Sequence, residues 1–285
     1  GAEYLRQSGE STSYDTTASG GTQRYQRAVG SGWVGVTGDH GRHQLQANVR
    51  YDQYSDTGNA TNGLLAYGYR IDTAWRLTAQ LSNAFRAPSF NDLYFPYFGN
   101  SDLEPERSLS GELGLRYVGS AASLRAALFR TDTRDLINYD PATMRAGNID
   151  DARVTGFELG GDWRSGPWRI GANATLLRAV NDDTGERLLR RAPWLVNLAL
   201  DYDPGPWSTG LEVAVVGPRD DLDINTFERV QLASYTLVRL VGAWRLSGNL
   251  TLRARVENLF DTDYESVSGY NTPPRTAIVG INLRY

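Results

Sequence analysis

A chain of 285 residues and 31.5 kDa is long for one ordinary domain but within reach of a single all-β sheet or barrel. It has no cysteine, only two histidines (His40 and His43), and a formal charge of -4. Disulfide scaffolds, zinc ribbons and thiol nucleophiles are thereby excluded, and histidine-based catalysis has almost nothing to work with. A nucleic-acid binder would need a concentrated basic surface, which a pI near 5.3 does not suit, so no nucleic-acid partner is expected. Hydrophobic residues make up 40% and charged residues 22%, ordinary values for a folded chain, and every basic residue is arginine. No run approaches the roughly 18 apolar residues of a membrane-spanning helix, a limit that does not touch membrane barrels. The opening GAEYLRQSGE has neither a basic nor an apolar leader region, so a mature chain or a fragment is expected.

Taken in chain order, the segments alternate with period two and helical spacing is nowhere competitive. Leu109, Gly111, Leu113, Leu115 and Tyr117 oppose Ser108, Ser110, Glu112 and Arg116. Trp168, Ile170, Ala172, Ala174 and Leu176 oppose Arg169, Gly171, Asn173 and Thr175, and 250–257 sets Leu250, Leu252, Ala254 and Val256 against Thr251, Arg253, Arg255 and Glu257. The last segment sets Ala277, Val279, Ile281, Leu283 and Tyr285 on one face. Short turns are predicted near 38–41, 71–73, 118–121, 164–167, 203–206 and 246–249. Longer polar connections are predicted at 11–23, 52–60, 88–107, 139–148, 181–188, 218–230 and 262–274. Alternation of short and long connections predicts about fourteen antiparallel strands of a transmembrane β-barrel, with short periplasmic turns and long outer loops. The last strand then runs to the periplasm.

Tryptophan placement supports a membrane barrel over a soluble sandwich, since Trp33, Trp75, Trp163, Trp168, Trp207 and Trp244 all stand near predicted short turns. Amphipathic rings gain by sitting at the headgroup level, and Tyr117, Tyr202 and Tyr285 fit the same girdle. Arg76, Arg125, Arg169, Arg253, Arg255 and Glu257 fall opposite the apolar face, as a wet lumen requires.

NAFRAPSFNDLY (83–94), GNSDLEPERS (99–108), DLINYD (135–140), VTGFELGGDW (154–163), LLRRAP (188–193) and VENLFDTDYESVSGYNTPPR (256–275) follow one another in a recognisable order. In that order and spacing the chain resembles the TonB-dependent outer-membrane transporters, most closely the BtuB family of cobalamin transporters. The resemblance implies a barrel of about 22 strands around a folded plug, so residues 1–285 are expected to be the C-terminal receptor barrel domain without the plug. It also implies active uptake of cobalamin, energised by the TonB-ExbB-ExbD complex through that plug, in an outer membrane of lipid and lipopolysaccharide. The span 268–285, ending in the aromatic Tyr285, resembles the family's assembly signal.

Through the LLRRA match, Arg190 is implied as a cobalamin contact, with Arg191 as its neighbour. Five donors suit amide carbonyls and a phosphate, although an exposed loop charge would read the same way. Tyr94, Phe95, Tyr97 and Phe98 form an aromatic cluster that could touch ligand or pack its loop. Asp220, Asp221, Asp223 and Asn225 are spaced like alternate oxygen ligands, but the EF-hand glycine is absent and a solvated loop is the plainer reading. No cofactor is assigned to this part; calcium belongs to what the resemblance allows for a full-length member. No catalytic set can be placed. The alternatives are a siderophore or haem receptor of the same family, a passive outer-membrane pore, and a secreted β-rich adhesin.

Overall fold

The computed structural model describes residues 1–12, 22–140, 142–148 and 151–284. Its strands and one short helix are, in order, β1 (Ala2–Thr12), β2 (Thr22–His40), β3 (His43–Tyr54), β4 (Gly58–Arg70), β5 (Trp75–Arg86), α1 (Phe90–Tyr94), β6 (Glu106–Val118) and β7 (Ala122–Arg134). There follow β8 (Ile137–Asp140), β9 (Arg145–Asn148), β10 (Ala152–Ser165), β11 (Trp168–Asn181), β12 (Trp194–Tyr202) and β13 (Trp207–Val216). The chain ends with β14 (Arg219–Leu222), β15 (Arg229–Leu232), β16 (Tyr235–Arg245), β17 (Leu250–Glu257) and β18 (Thr276–Leu283).

Fourteen of these strands form one antiparallel sheet in the order β1-β2-β3-β4-β5-β6-β7-β10-β11-β12-β13-β16-β17-β18. The remaining four make two hairpins, β8-β9 and β14-β15, that lie within long connections. Each sheet strand pairs with its predecessor and its successor in the sheet, while β1 and β18 are edges. No helix among the described residues is long and apolar enough to cross a membrane.

Register shows why the sequence alternates. Directly opposed residues share a face, and one face carries Leu77, Leu115 and Ala126 in one row and Leu200, Leu211 and Leu240 in another. Large apolar side chains stand exposed there, Leu113 at 62% and Val279 at 77%. In a soluble protein such exposure would be costly, whereas an outer face in lipid leaves it favourable. The opposite face carries the charge, including Arg76, Arg125, Arg169, Arg253, Arg255 and Glu257, as the alternation predicts.

Five of the tryptophans lie on the apolar face at its short-turn rim. Trp75 packs on Tyr117 at 4.9 Å, Trp168 on Tyr202 at 4.4 Å and Tyr202 on Trp207 at 5.4 Å, while Trp207 is the register partner of Trp244. Trp163 shares that face with Ile170. Trp33 departs from the expected girdle: it is opposed to Arg50 on the polar face, and the Arg50 guanidinium lies over its ring at 5.1 Å. Distance from a turn does not fix parity along a strand, and Trp33 shares its parity with Ser31 and Arg27.

The predicted long connection at 52–60 is a second departure, because β3 runs to Tyr54 and β4 starts at Gly58. Asp52 belongs to the wet face of β3, where it accepts from Arg50 Nε at 2.7 Å, while Gln53 and Asn59 oppose each other on the other face at the end of the strands. Gly58 closes the tight turn with φ 85°, a conformation that favours glycine. The predicted connection at 11–23 falls largely outside the described residues, as does Tyr285.

Candidate functional site

The described long connections emerge at one end of the sheet, and several of them build a shared structure. Residues 87–105 hold α1, which opens with a capping box between Ser89 and Asp92. Alternation gave no sign of so short a helix. Arg27, only 5% exposed, anchors its entry by donating from Nε to Asp56 at 2.8 Å and from Nη2 to the Pro88 carbonyl at 2.8 Å. Tyr94 stacks on Tyr25 of β2 at 4.2 Å with ring planes 4° apart.

A small apolar core sits inside the connections themselves, formed by Leu93, Leu103, Ile137 and Ala146 with Tyr94 and Phe98 against it. Phe98 stacks on Tyr139 at 6.3 Å, and Tyr139 meets Phe227 at 6.1 Å, so three connections share one aromatic run. The predicted aromatic cluster therefore divides: Tyr94 and Phe98 pack, whereas Phe95 (51% exposed) and Tyr97 (81%) project outward. Tyr97, Met144 and Phe227 are exposed apolar residues that each hold a left-handed backbone, at φ 66°, 55° and 58°. That conformation is unfavourable for such side chains and is kept only where the surroundings impose it.

Arg190 and Asp221 form the second part of the site. Arg190 Nε donates to Asp221 Oδ1 at 2.8 Å, and the Arg190 backbone N–H donates to the Asp220 carbonyl at 2.7 Å. Asp221 has no solvent exposure and also accepts from the backbone N–H groups of Leu222 at 2.8 Å and Ser268 at 2.9 Å. One carboxylate thus ties together the connections 182–193, 217–234 and 258–275. Arg219, buried beside it, donates to the carbonyls of Glu265 and Ser266 and lies over the Tyr235 ring at 5.3 Å. The Arg190 side chain remains 55% exposed despite its pairing, and Arg191 is exposed and donates to the Arg190 carbonyl at 3.3 Å.

Burial alone would raise the Asp221 pKa, but the Ser268 N–H, the Arg190 guanidinium and the Leu222 N–H outweigh it and hold the carboxyl below its ordinary range. A carboxyl depressed in the folded form contributes stability that is complete above its unfolded value, about 3.9, and is lost as pH falls through the lower native value. The three connections are therefore expected to come apart in acid below about pH 4, with limited proteolysis across a pH series as the measurement. Cleavage in 217–234 that stays constant from neutral pH to pH 2 would refute this.

The acidic run does not converge on an ion. Asp223 instead accepts from the N–H groups of Asn225 at 2.8 Å and Thr226 at 2.9 Å, and Asp220 faces Arg229 at 3.6 Å. Among the described residues no group of three or more His, Asp or Glu side chains is placed to hold a metal. His43 lies at the other end of the sheet with its Nδ1 2.6 Å from the Tyr67 hydroxyl.

Residues 1–259 match the family model described as TonB dependent receptor-like, beta-barrel. Among solved structures the chain is similar to the copper transporter OprC, with a TM-score of 0.82 and 21% identity over 100% of this chain and 53% of that one. It is also similar to a mutant ferric enterobactin receptor PfeA from Pseudomonas aeruginosa in complex with enterobactin (TM-score 0.83, 20% identity, 99% of this chain and 51% of that one). The siderophore receptor PirA from Acinetobacter baumannii gives 0.81 at 18% identity, covering 99% of this chain and 51% of its own. The chain therefore spans about half the length of these structures. With a sheet that separates a lipid face from a wet face and a family match over most of its length, the chain belongs to the TonB-dependent receptor-like β-barrels of the outer membrane.

Proposed function

We propose that this chain is the barrel part of a transporter that captures a large, amide- or catechol-bearing metal chelate at its joined outer connections and passes it inward. The observation that carries this reading is the family match over residues 1–259. In the first form of the reading the ligand is cobalamin, supported by the LLRRAP segment, and the exposed part of the Arg190 guanidinium and its neighbour Arg191 hold amide carbonyls or the phosphate. The exposed rings of Tyr97 and Phe227 offer stacking surface to a large planar ligand. TonB-ExbB-ExbD supplies energy through a plug, which residues 1–285 do not include, and the last strand ends on the periplasmic side.

The second form, a siderophore receptor, rests on the likeness to the ferric enterobactin receptor PfeA and the siderophore receptor PirA, a likeness that at 18–20% identity shows the fold alone. Equilibrium binding of cyanocobalamin and of ferric enterobactin to the full chain in detergent micelles distinguishes the two. Cobalamin binding that weakens about ten-fold in Arg190→Ala, with Arg191→Ala affected less, supports the first. Ferric enterobactin binding alone supports the second, and binding of neither chelate sinks chelate capture altogether.

A further inference from the structure

Arginine on the apolar face is confined almost entirely to one sector. Arg107 of β6, Arg130 and Arg134 of β7, Arg153 of β10 and Arg178 of β11 share that face with Leu113, Leu128, Phe157 and Leu176. The sheet strands β3, β4, β5, β12, β13, β16, β17 and β18 set no arginine there. The edge pair β1-β2 sets Arg6 and Arg24 there, and Arg24 meets Glu10 at 3.3 Å. The four strands that bear the cluster are consecutive in the sheet, and each has both of its neighbours. These side chains face away from the lumen, so nothing inside the barrel supplies their counter-charge.

Four of the five stand at one height. Arg107 lies ten residues from Tyr117, Arg134 ten from Leu124, Arg153 ten from Trp163 and Arg178 ten from Trp168, and Leu124 is the register partner of Tyr117. Ten residues of strand tilted by about 40° climb roughly 25 Å, the height of the apolar band of a membrane barrel. The aromatic rim marks the short-turn boundary of that band, so these arginines stand at its other boundary, at the level of the headgroups beneath the long connections.

Their charge is only partly balanced. Asp132 accepts from Arg130 Nε at 2.7 Å and from Arg153 Nε at 2.9 Å, and Arg153 also meets Asp182. Arg107, Arg134 and Arg178 are exposed and make no ion pair among the described residues, and Arg107 is directly opposed to Arg134. Like charges so opposed destabilise a sheet. Two hollows meet at Arg130. A polar one of about 520 Å³ is lined by Arg107, Arg130, Asp132, Arg134 and Arg153. An apolar groove of about 590 Å³ runs from Arg130 past Leu81, Leu113 and Leu128 toward the bilayer interior. Gly111, opposed to both Leu81 and Arg130, leaves this groove open, since a Cβ there would meet nothing nearer than 4.0 Å.

We propose that this cluster binds the headgroup of an outer-leaflet lipid bearing two phosphate groups, with an acyl chain of that lipid seated in the groove. Guanidinium forks match phosphate oxygens with paired hydrogen bonds, and a phosphate between Arg107 and Arg134 removes their repulsion. A zwitterionic headgroup brings an ammonium as well as a phosphate and balances none of the excess charge. The site lies outside the barrel wall, so it stands whether or not the outer connections capture a chelate.

Native mass spectrometry of the full chain in non-ionic detergent, with diphosphoryl lipid A, phosphatidylethanolamine or pyrophosphate added, tests this. Lipid A is expected to stay bound, and phosphatidylethanolamine and pyrophosphate to be lost. Its affinity should fall about ten-fold or more in the double variant Arg107→Gln with Arg134→Gln, and should not change in Arg6→Gln, on the same face at the sheet edge. Gly111→Leu, which fills the groove and leaves the arginines in place, should also weaken lipid A. In detergent without lipid the double variant should unfold no earlier than wild type, whereas a merely structural pair of arginines would make it unfold sooner. Should the double variant not fold, Arg178→Gln alone carries the same direction of effect on lipid A. Equal retention of lipid A and phosphatidylethanolamine, or lipid A binding unaltered in the arginine variants, overturns the proposal. Pyrophosphate bound as tightly as lipid A also overturns it, by identifying a site for dissolved phosphate.

Discussion

Arginine in place of Leu113 is expected to cost the folded protein about 2–4 kcal/mol in a lipid bilayer, whereas arginine in place of Gln80 should cost about 0–1 kcal/mol. Leu113 stands in the middle of β6 on the apolar face, opposed to Ala79 and Leu128, four residues from the Tyr117 rim. A guanidinium there has to leave water and enter hydrocarbon with no partner. Gln80 is one residue along β5 from Ala79 and so lies on the other face, opposed to Glu112, where an added positive charge meets water and a carboxylate. Denaturant unfolding of the two variants in lipid vesicles measures the difference. Equal costs would mean that the face assigned to lipid is not in lipid.

The second large effect is expected at Asp221. Replacing it with alanine leaves the Ser268 and Leu222 N–H groups without their acceptor and frees Arg190. Half-exposed Arg190 can return to water, so the cost rests on the backbone donors, of which Ser268 is only 7% exposed. A local opening about 2–3 kcal/mol easier follows. Hydrogen exchange should show 217–234 and 258–275 losing protection together, while β5, β6 and β7 keep theirs. If 258–275 stays protected when 217–234 opens, the carboxylate does not join them. Since this opening also displaces Arg190, ligand affinity at the loops should drop in Asp221→Ala even though Asp221 itself is buried beneath the surface.

Strands were legible because lipid on one side and water on the other impose a strict period of two, visible in 108–117, 168–176 and 250–257 and reproduced by the register. What misled was polarity read without parity. Asp52 and Asn59 look like loop residues, yet they oppose Ala60 and Gln53 within paired strands. Trp33 looks like a rim residue, yet it faces Arg50. The pairing of Arg190 with Asp221 was out of reach, because it joins residues 31 positions apart through connections that have no periodicity of their own. The acidic run 220–223 could be noticed only as composition; the fold shows that one of its members is a buried joint and another the start of a turn. The arginine cluster on the apolar face was invisible for the opposite reason, since each member lies in an unremarkable strand and only the register brings them together.

Every pairing in the fourteen-stranded sheet joins neighbours along the chain order of the sheet, and the two edge strands, β1 and β18, run in opposite directions. Within hydrocarbon the unpaired N–H and C=O groups of both edges must find partners, so a closed ring has to join them. Only an even number of strands can close that ring while keeping every pairing antiparallel. The hairpin is therefore the quantum of size in this architecture. Circumference can grow or shrink two strands at a time without inverting the lipid and lumen sides of any strand that stays, and a change of one strand would force a parallel seam.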